Sequence, residues 1–317
     1  MKKRILVGSC GGLTGNYLIR QFKEIGDYYV VGADLTDQIC AKFFADEIVC
    51  VPAANAPDFV ECLIHVLKDK QIDFYFPTHS TEIMIVSKNE STIRAAWKGS
   101  CLVCPFETFE KLNNKRTANE ALRQFGIPVP QLLSSADRDI IYPVFMKPDT
   151  GSGSKQAMKI ESNILHREYE KLYPNVSFYQ LIEGTEYTVD CMFDAECHLI
   201  AYNQRVRLKS MGGAVIVTQN NYEFDILPYL KQLEHAFQFK GCVNFQYILS
   251  SGIPYFIDIN LRYASGGLPL TVASGIHVPQ IMIDIFSNHT TSEVKSCPVN
   301  GKTMYRYFNE LYEDRSI

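Results

Sequence analysis

Neither a long hydrophobic run nor a strong excess of one charge occurs in this sequence. No apolar stretch approaches the about 20 residues that a membrane-spanning helix needs, so we expect no membrane segment. The formal net charge is −4 over 317 residues, which gives no basic field and predicts no nucleic-acid partner. The start, MKKRILVGSCGG, runs directly into a strand pattern without a leader-like apolar region, which favours a cytoplasmic protein.

Cysteine occurs ten times, but not with the spacing of a zinc site or a disulfide framework. Cys101 and Cys104 form a lone CxxC pair, without a second pair or a His at ligand spacing. Pro105 follows at once, and two apolar residues lie between the cysteines. We therefore interpret this segment as a buried strand and not as a metal or redox motif. The scattered thiols fit a reducing compartment.

The overall composition is that of a soluble globular protein, with 46% hydrophobic and 21% charged residues. A chain of 317 residues exceeds the usual limit of a single core, about 250 to 300 residues, and predicts two or three domains. The first hundred residues alternate apolar runs with amphipathic segments, which indicates a parallel, doubly wound α/β sheet. These segments are RILVGS, GNYLIRQFKEIG, YYVVGAD, residues 59–70, FYFPT and CLVCP.

The glycine-rich turn from Gly8 to Gly15 leaves two interpretations open. Asp34, at the end of the second predicted strand, would accept from the ribose of a bound dinucleotide. The glycines nevertheless lack the GxGxxG spacing, and a tight strand-to-helix turn needs glycine whether or not a ligand binds. The sequence therefore favours a structural turn over NAD binding.

The middle of the chain combines one predicted helix with two pairs of short strands. Residues 107–130 predict a helix that ends at Gly126 and has Lys115 near its start. Two short strands then flank a Gly/Ser loop at 151–154, and two more flank a break at residues 183–184.

The last third is predicted to be a helix, a hairpin and a second helix. A helical pattern over residues 227–239 leads into a hairpin whose turn lies at residues 250–254. Residues 269–288 predict a helix that packs beneath the hairpin. No internal repeat is present, and the residues after about 295 predict little.

The segment FIDINLR, residues 256–262, alternates apolar and polar side chains as a strand does. Its polar residues, Asp258, Asn260 and Arg262, would share one face. A carboxylate and an amide oxygen are ligands for Mg²⁺, and a guanidinium meets phosphate oxygens. For this segment alone, an ordinary solvated face is the alternative. The intervening residues are expected in the core: Ile257, Ile259 and Leu261.

Further segments carry groups suited to a nucleotide. Lys147 precedes the loop 151–154, whose backbone N–H groups can approach an anion, with an ordinary polar hairpin as the alternative. Residues 179–186 predict an extended linker whose backbone can meet an adenine edge, with a solvated hinge as the alternative. Gln246 lies on the strand predicted to pair with FIDINLR, which brings it close to Asp258 and Asn260, and an ordinary polar cross-strand pair is the alternative.

In this order, the motifs resemble the ATP-grasp superfamily, and more narrowly its single-unit proteins related to one half of the carbamoyl phosphate synthase large subunit. The resemblance implies an α/β fold with an α+β ATP-grasp module. An N-terminal parallel preATP-grasp domain, residues 1–112, would precede a two-subdomain ATP-grasp fold with the nucleotide between two sheets. Residues 113–185 would carry a mobile glycine-loop lid, and residues 186–317 the metal-binding strands.

Carried over onto this sequence, the resemblance implies a set of site residues. Lys147 and Arg262 would be catalytic. The nucleotide would be bound by Lys115, Lys147, Gly151, Ser152, Gly153, Ser154, Gln180, Leu181, Ile182 and Glu186. The metal would be bound by Gln246, Asp258 and Asn260. Substrate contacts would be Arg205, Arg207 and Glu82, with ordinary surface arginines as the alternative for the first two.

Three positions depart from the family pattern. Asp258 stands where the family usually has Glu, which leaves open whether one metal ion or two bind there. Gln156 stands where Gly is usual, which would alter the closure of the loop. Tyr179 replaces an acid that in many relatives reads the adenine amino group.

The resemblance implies an enzyme, an ATP-dependent carboxylate-amine or carboxylate-thiol ligase. It would form an amide through an acyl phosphate, with release of ADP and phosphate, on a small metabolite or amino acid. ATP and Mg²⁺ would be required, as one or two ions with Mn²⁺ as the alternative metal, and the protein would be a homodimer. Carbamoyl phosphate synthase-like carboxyphosphate chemistry and a non-catalytic ATP-binding regulatory protein are the alternatives, and an NAD-dependent reductase is a weaker one.

Overall fold

A computed structural model describes residues 2–151, 156–211, 214–287, 294–296 and 300–313. The N-terminal part is a four-stranded parallel sheet in the order β3-β2-β1-β4, flanked by helices. Its central strands are buried on both faces, as parallel strands covered by helices are. The strands are β1 Arg4–Gly8, β2 Tyr29–Asp34, β3 Glu47–Cys50 and β4 Phe74–Phe76. The helices are α1 Leu13–Ile25, α2 Phe59–Asp69, α3 Ser80–Lys88 and α4 Glu90–Ala96, with a 3₁₀ turn at Cys40–Phe43.

The CxxC segment is not a strand, contrary to expectation. Ser100 forms an isolated parallel bridge with Phe74, and residues 101–105 continue without strand pairing. Cys104 is buried, and its thiol accepts from the backbone N–H of Lys240 at 3.4 Å. The segment is therefore fixed by contact with the chain that enters a distant strand, and not by the neighbouring sheet.

The single helix predicted over residues 107–126 is two helices. They are α5 Phe106–Leu112 and α6 Lys115–Gln124. The break has a local cause, because the Asn114 side-chain oxygen accepts from the backbone N–H groups of Arg116 and Thr117 at 2.9 and 3.2 Å and caps the second helix. Lys115 is thereby the first residue of α6, and its own N–H donates to the carbonyl of Asp149 at 2.7 Å.

Two antiparallel sheets follow. The smaller has the order β5-β8-β6-β7, and the larger has the order β13-β12-β9-β10-β11-β15, with β14 beside β10. The smaller sheet consists of β5 Leu132–Leu133, β6 Val144–Pro148, β7 Met158–Ile160 and β8 Val176–Gln180. Helix α7 Asn163–Leu172 lies between β7 and β8 in the chain. The larger sheet consists of β9 Thr185–Phe193, β10 Leu199–Met211, β11 Ala214–Asn220, β12 Gly241–Ser250, β13 Ile253–Asn260, β14 Lys295–Ser296 and β15 Thr303–Tyr305. Helix α8 Leu227–Ala236 lies between β11 and β12 in the chain.

The predicted hairpin is present, with Ser251 and Gly252 as a two-residue loop. Both have positive φ, 49° and 77°, as a hairpin turn that follows the strand twist requires. The helix predicted over residues 269–288 is instead two helices, α9 Leu268–Ala273 and α10 Val278–Phe286, separated at Gly275 with φ 96°. Of these helices, α10 packs against α1 and α9 against β11, and Cys242 at the start of β12 belongs to the same apolar cluster as both.

The order of a parallel α/β part followed by two antiparallel sheets confirms the predicted fold class. The boundaries 1–112, 113–185 and 186–317 stay predictions. Within the described residues, the helices are too short or too polar to cross a bilayer.

Candidate functional site

Side chains from both antiparallel sheets line a cavity of about 570 Å³, which we call the first cavity. Every predicted site residue from position 115 onward that the structure describes contributes to its lining. These residues are Lys115, Lys147, Gly151, Gln180, Leu181, Ile182, Glu186, Arg205, Arg207, Gln246, Asp258, Asn260 and Arg262. Ser152, Gly153 and Ser154 of the predicted loop lie outside the described residues.

The three polar residues of FIDINLR form a hydrogen-bonded row at the cavity. The Asn260 amide donates to Asp258 Oδ2 at 3.2 Å, and Arg262 Nη2 donates to Asn260 Oδ1 at 3.3 Å. Gln246 on β12, which was predicted to lie close to Asp258 and Asn260, is the direct cross-strand partner of Asp258. Burial lowers the pKa of the Arg262 guanidinium, and the nearby Asp258 opposes that effect.

The aliphatic side of the same strand differs from expectation at one position. Ile259 and Leu261 are buried, but Ile257 is half-buried and lines the first cavity. The β12–β13 register shifts between Gln246 and Tyr247, and such a bulge interrupts the alternation of side chains between the two faces.

The two predicted phosphate lysines come from different elements and meet the same strand. Lys115 Nζ donates to the Gly151 carbonyl at 2.8 Å and lies 3.8 Å from Asp258 Oδ1. Lys147 Nζ donates to the Ile257 carbonyl at 2.7 Å and lies 4.4 Å from the ring centroid of Tyr179. Burial lowers the pKa of Lys147 to about 8, and the positive charge of Lys115 adds to this, while Asp258 opposes it.

The linker between β8 and β9 passes along the cavity, as the sequence predicts. Gln180, Leu181 and Ile182 line it, followed by Glu186 at the start of β9. The carboxylate of Glu186 lies 3.1 Å from Nη1 of Arg207 on β10. An extended backbone beside a half-exposed acid is suited to the edge of a base and to a hydroxylated sugar.

Arg205 is buried, and its guanidinium is bound from within the sheet. Nε and Nη2 donate to the two carboxylate oxygens of Asp190 at 3.1 and 3.0 Å. Thr271 also donates to Asp190, at 2.8 Å. Arg205 therefore reaches the first cavity from a fixed position, whereas the predicted alternative of a surface arginine does not fit its 2% exposure.

Glu82 lies away from the other predicted site residues, in a cavity of about 560 Å³ at the N-terminal sheet, the second cavity. Its carboxylate accepts from the Tyr75 hydroxyl at 2.8 Å and from the backbone N–H groups of Thr78 and His79 at 3.0 and 3.4 Å. Burial raises the pKa of this carboxyl group, and these hydrogen bonds oppose that effect. Arg262 and Ser265 line both cavities.

The first cavity has an excess of positive charge that suits a polyphosphate. Among the described residues, five cationic side chains and two carboxylates line it. The residues that would hold a metal supply one carboxylate, from Asp258, and the amide oxygens of Asn260 and Gln246. Mg²⁺ usually takes one or two protein carboxylates and completes its octahedron with phosphate oxygens and water, so this donor set fits. Within the described ranges, no cluster of three His, Cys, Asp or Glu side chains offers another metal site.

Two polar residues of the site were missed from the sequence. Thr188 lines the first cavity, and its buried hydroxyl has no hydrogen-bond partner among the described residues. Asp190 positions Arg205. Both follow Glu186 at intervals of two along β9, so strand periodicity extended from that acid would have identified them.

Two family models match different parts of the chain. Residues 174–310 match the family described as ATP-grasp in the biosynthetic pathway with Ter operon. Residues 5–96 match the PylC-like N-terminal domain. The two matches cover the larger antiparallel sheet and the parallel sheet, respectively.

Similar proteins include enzymes with different printed activities. The 3-methyl-D-ornithine–L-lysine ligase of Methanosarcina acetivorans is 23% identical over 308 residues, which are 96% of this chain and 78% of that protein. The carbamoyl phosphate synthase large chain of Clostridium acetobutylicum is 23% identical over 214 residues, 60% of this chain, which spans about a fifth of that protein.

A solved structure with a similar fold is the biotin carboxylase domain of the Hydrogenobacter thermophilus 2-oxoglutarate carboxylase, described as a dimer in complex with MgADP, ADP and bicarbonate. The TM-score is 0.73 at 16% identity, over 96% of this chain and 73% of that chain.

Proposed function

We propose that this chain, which matches an ATP-grasp family model over residues 174–310, is an ATP-dependent ligase of the ATP-grasp superfamily that joins a small carboxylate to an amine. One observation carries the proposal. The carboxylate, amide and guanidinium of β13 and its continuation lie in one hydrogen-bonded row, and Lys115 approaches that row from another element. This arrangement concentrates cations around one acid in a cavity of ligand size, as phosphoryl transfer from a nucleotide requires.

The proposed reaction has two steps. A substrate carboxylate oxygen attacks the γ-phosphorus of ATP, the bond to the bridging oxygen breaks, and ADP leaves with the electron pair. The amine nitrogen then attacks the acyl carbon, the C–N bond forms, the C–O bond to phosphate breaks, and the amine releases its proton. Lys147 and Arg262 would stabilise the charge on the transferred group, and the buried position of Lys147 strengthens that interaction.

The nucleotide would lie with its phosphates between Lys115 and Lys147 and its base along the linker of residues 180–182. Glu186 would accept from the ribose. The loop of residues 151–154 would cover the phosphates, and the contact between Lys115 and the Gly151 carbonyl joins its start to the site. Arg205 and Arg207 would face the substrate from β10, whereas Glu82 lies in the second cavity with both carboxylate oxygens bonded within the fold.

Gln246, Asp258 and Asn260 would hold a divalent ion, which when bound neutralises phosphate oxygens. We propose one Mg²⁺ ion, because Asp258 is one methylene shorter than Glu and the donor set has a single carboxylate. Mn²⁺ would substitute for it, since it prefers the same oxygen ligands. Titrating ADP formation with each metal tests both points. A Hill slope near one supports a single protein-bound ion once the metal bound to free ATP has been subtracted.

The proposed substrates are a small-molecule carboxylate and amine, in a homodimeric enzyme. A panel of amino acids, sugar acids and amines, offered in pairs with ATP and Mg²⁺, tests the activity. We expect ADP and phosphate in equal amounts with an amide product for at least one pair. AMP formation would contradict an acyl phosphate. Tight ATP binding without turnover across the panel would favour a regulatory protein, and ADP formation dependent on bicarbonate would favour carboxyphosphate chemistry.

A further inference from the structure

The second cavity lies where parallel sheets bind ligands. Ser9 follows β1, Asp34 ends β2 and Thr78 lies two residues beyond β4, so the cavity opens at the carboxyl ends of three strands. Its volume of about 560 Å³ is within the range of small-molecule sites. Because Arg262 and Ser265 also line the first cavity, a molecule bound here would have one end beside the proposed phosphoryl-transfer site.

In the glycine turn beneath this cavity, a backbone N–H group binds a carboxylate of the protein itself, and it is therefore not directed at a bound anion. The Gly11 N–H donates to Asp34 Oδ2 at 2.7 Å, and the Leu35 N–H donates to Oδ1 at 2.7 Å. The Gly12 N–H donates to the Ser9 carbonyl at 3.3 Å. In a dinucleotide site, backbone N–H groups of such a turn face the pyrophosphate. Here two of them are already bonded, which argues against NAD.

Asp34 differs from Glu82, the other acid of the second cavity. Glu82 is 3% exposed, and both of its oxygens accept from neighbouring groups of the fold. Asp34 is half-buried, and each of its oxygens has one backbone donor. A carboxylate oxygen accepts two hydrogen bonds, so Asp34 keeps acceptor capacity toward the cavity.

The cavity thus has a positive end and a negative end. Among the described residues, Arg262 is its one arginine or lysine, at the border with the first cavity, while Asp34 lies on β2. Small apolar side chains between 51 and 54, together with Leu13 and Leu35, form part of the wall. Such a lining suits a molecule with a carboxylate at one end, aliphatic carbons, and an ammonium group.

We propose that the second cavity binds the phosphoryl-accepting substrate, and that this substrate is an amino acid with an ammonium group at the far end of an aliphatic chain, so that its carboxylate meets Arg262 and that ammonium group meets Asp34. The assignment rests on the proposed function for the direction of the reaction, but not for the binding itself. His79 also lines this cavity, and its Nδ1 accepts from the Thr81 N–H at 3.3 Å.

The test is calorimetric binding of amino acids to the full chain saturated with Mg²⁺ and a non-hydrolysable ATP analogue. The probes are amino acids whose carboxylate and terminal ammonium group are separated by one or more carbons, namely β-alanine, 4-aminobutyrate, 5-aminopentanoate, 6-aminohexanoate, L-ornithine and L-lysine, and for each one that binds, the matching acid without that ammonium group and the matching amine without the carboxylate. We expect at least one amino acid to bind and both truncated forms to bind at least about tenfold more weakly. Absence of binding across the panel at millimolar concentration, equal binding of the deaminated acid, or competition by NAD would overturn the proposal.

Asp34→Asn is expected to weaken amino-acid binding at least about tenfold while leaving affinity for the ATP analogue within about twofold. Asp37→Asn, an exposed acid three residues later that lines neither cavity, is the matched control and should change neither. If Asp34→Asn fails to fold, Ala53→Phe narrows the cavity from an exposed wall position and should weaken the amino acid in the same way. Unchanged amino-acid affinity in the folded variants would refute the site.

These measurements separate the two proposals. Asp34-dependent amino-acid binding without ATP turnover for any pair would contradict the ligase function and leave the binding site standing. ATP turnover with an amino acid whose KM is unchanged by Asp34→Asn would leave the ligase and refute the site.

Discussion

The two cavities that meet at Arg262 have nearly the same volume but opposite charge balance. Five cationic side chains and two carboxylates line the first, whereas one cation, two carboxylates and a histidine line the second, counted over the described residues. Each balance has its own source in the fold. Cross-strand alternation in the larger antiparallel sheet directs several charged residues to the first cavity. The second cavity receives Asp34 from the end of β2, His79 from the loop after β4 and Glu82 from the first turn of α3. The comparison assigns the polyphosphate to the first cavity and an ammonium group to the second.

Replacing Arg205 is expected to have the largest effect. This variant tests whether a cation of the first cavity stabilises the fold. Arg205→Met would leave Asp190 buried without its two guanidinium bonds, at a cost of about 3 to 5 kcal/mol in the free energy of unfolding. Urea denaturation measures it. The control is Arg207→Met on the same strand, which pairs with the half-exposed Glu186 and should cost under about 1 kcal/mol. Equal losses of unfolding free energy in the two variants would mean that burial does not make Arg205 more important for stability than Arg207.

The acid within the cationic cavity gives the next effect. Asp258→Asn removes the one carboxylate of the proposed metal group and the charge beside Lys115, so ADP formation should fall about 10²- to 10³-fold. Half-saturation with Mg²⁺ should move to higher concentration. Asp225→Asn is the matched control, because that exposed side chain lines neither cavity and accepts from the Leu227 N–H at 3.1 Å, which an Asn oxygen can also do. Undiminished turnover in Asp258→Asn would contradict the assignment of the first cavity.

Much of the first cavity was predictable because its residues follow local patterns. Alternation places Asp258 beside Asn260 on a strand. The turn at Ser251 and Gly252 sets the pairing next to it, but counted from that turn Gln246 would face Ile257, and the register shift after Tyr247 makes Asp258 its partner. The bulge that brings Ile257 to the cavity was not predictable, since it depends on the pairing of two strands and leaves no mark in one of them.

The second cavity was not predictable as a unit. Its walls come from four separate parts of the N-terminal sheet and from the loop after β13, which only the folded chain brings together. The predicted helix over 269–288 failed for a similar reason. Its periodicity indicates an apolar face, but no local sequence signal indicates that this face packs against α1. Tertiary placement of an element is a long-range property, while its presence is a local one.

The pH dependence of nucleotide binding tests the first cavity more finely. Lys147 loses its proton near pH 8 in the free protein, because burial favours the neutral amine. Phosphate favours the ammonium form, so binding of the ATP analogue takes up a proton, and its affinity should fall as pH rises above 8, by up to about tenfold per unit. Lys147→Arg should remove the decline, since a guanidinium stays protonated. Lys159→Arg, on the exposed neighbouring strand, should retain it.

Glu82 gives the smallest effect, and it separates the two acids of the second cavity. Burial raises the pKa of its carboxyl group in the folded protein above the group's ordinary value of 4.5. Between 4.5 and the raised pKa the folded state binds more protons than the unfolded state, so stability is lost as pH rises through that window. Glu82→Gln can keep the acceptor for the Thr78 N–H and should flatten this dependence, measured by urea denaturation from pH 4.5 upward. Glu61→Gln, which changes an exposed acid on α2, should leave the pH dependence of stability unchanged.

Because the Glu82 oxygens accept hydrogen bonds from the fold itself, the affinity for the amino acid should be unchanged in Glu82→Gln. A tenfold loss there, matching that of Asp34→Asn, would make both carboxylates part of the ammonium site and would end the distinction between them.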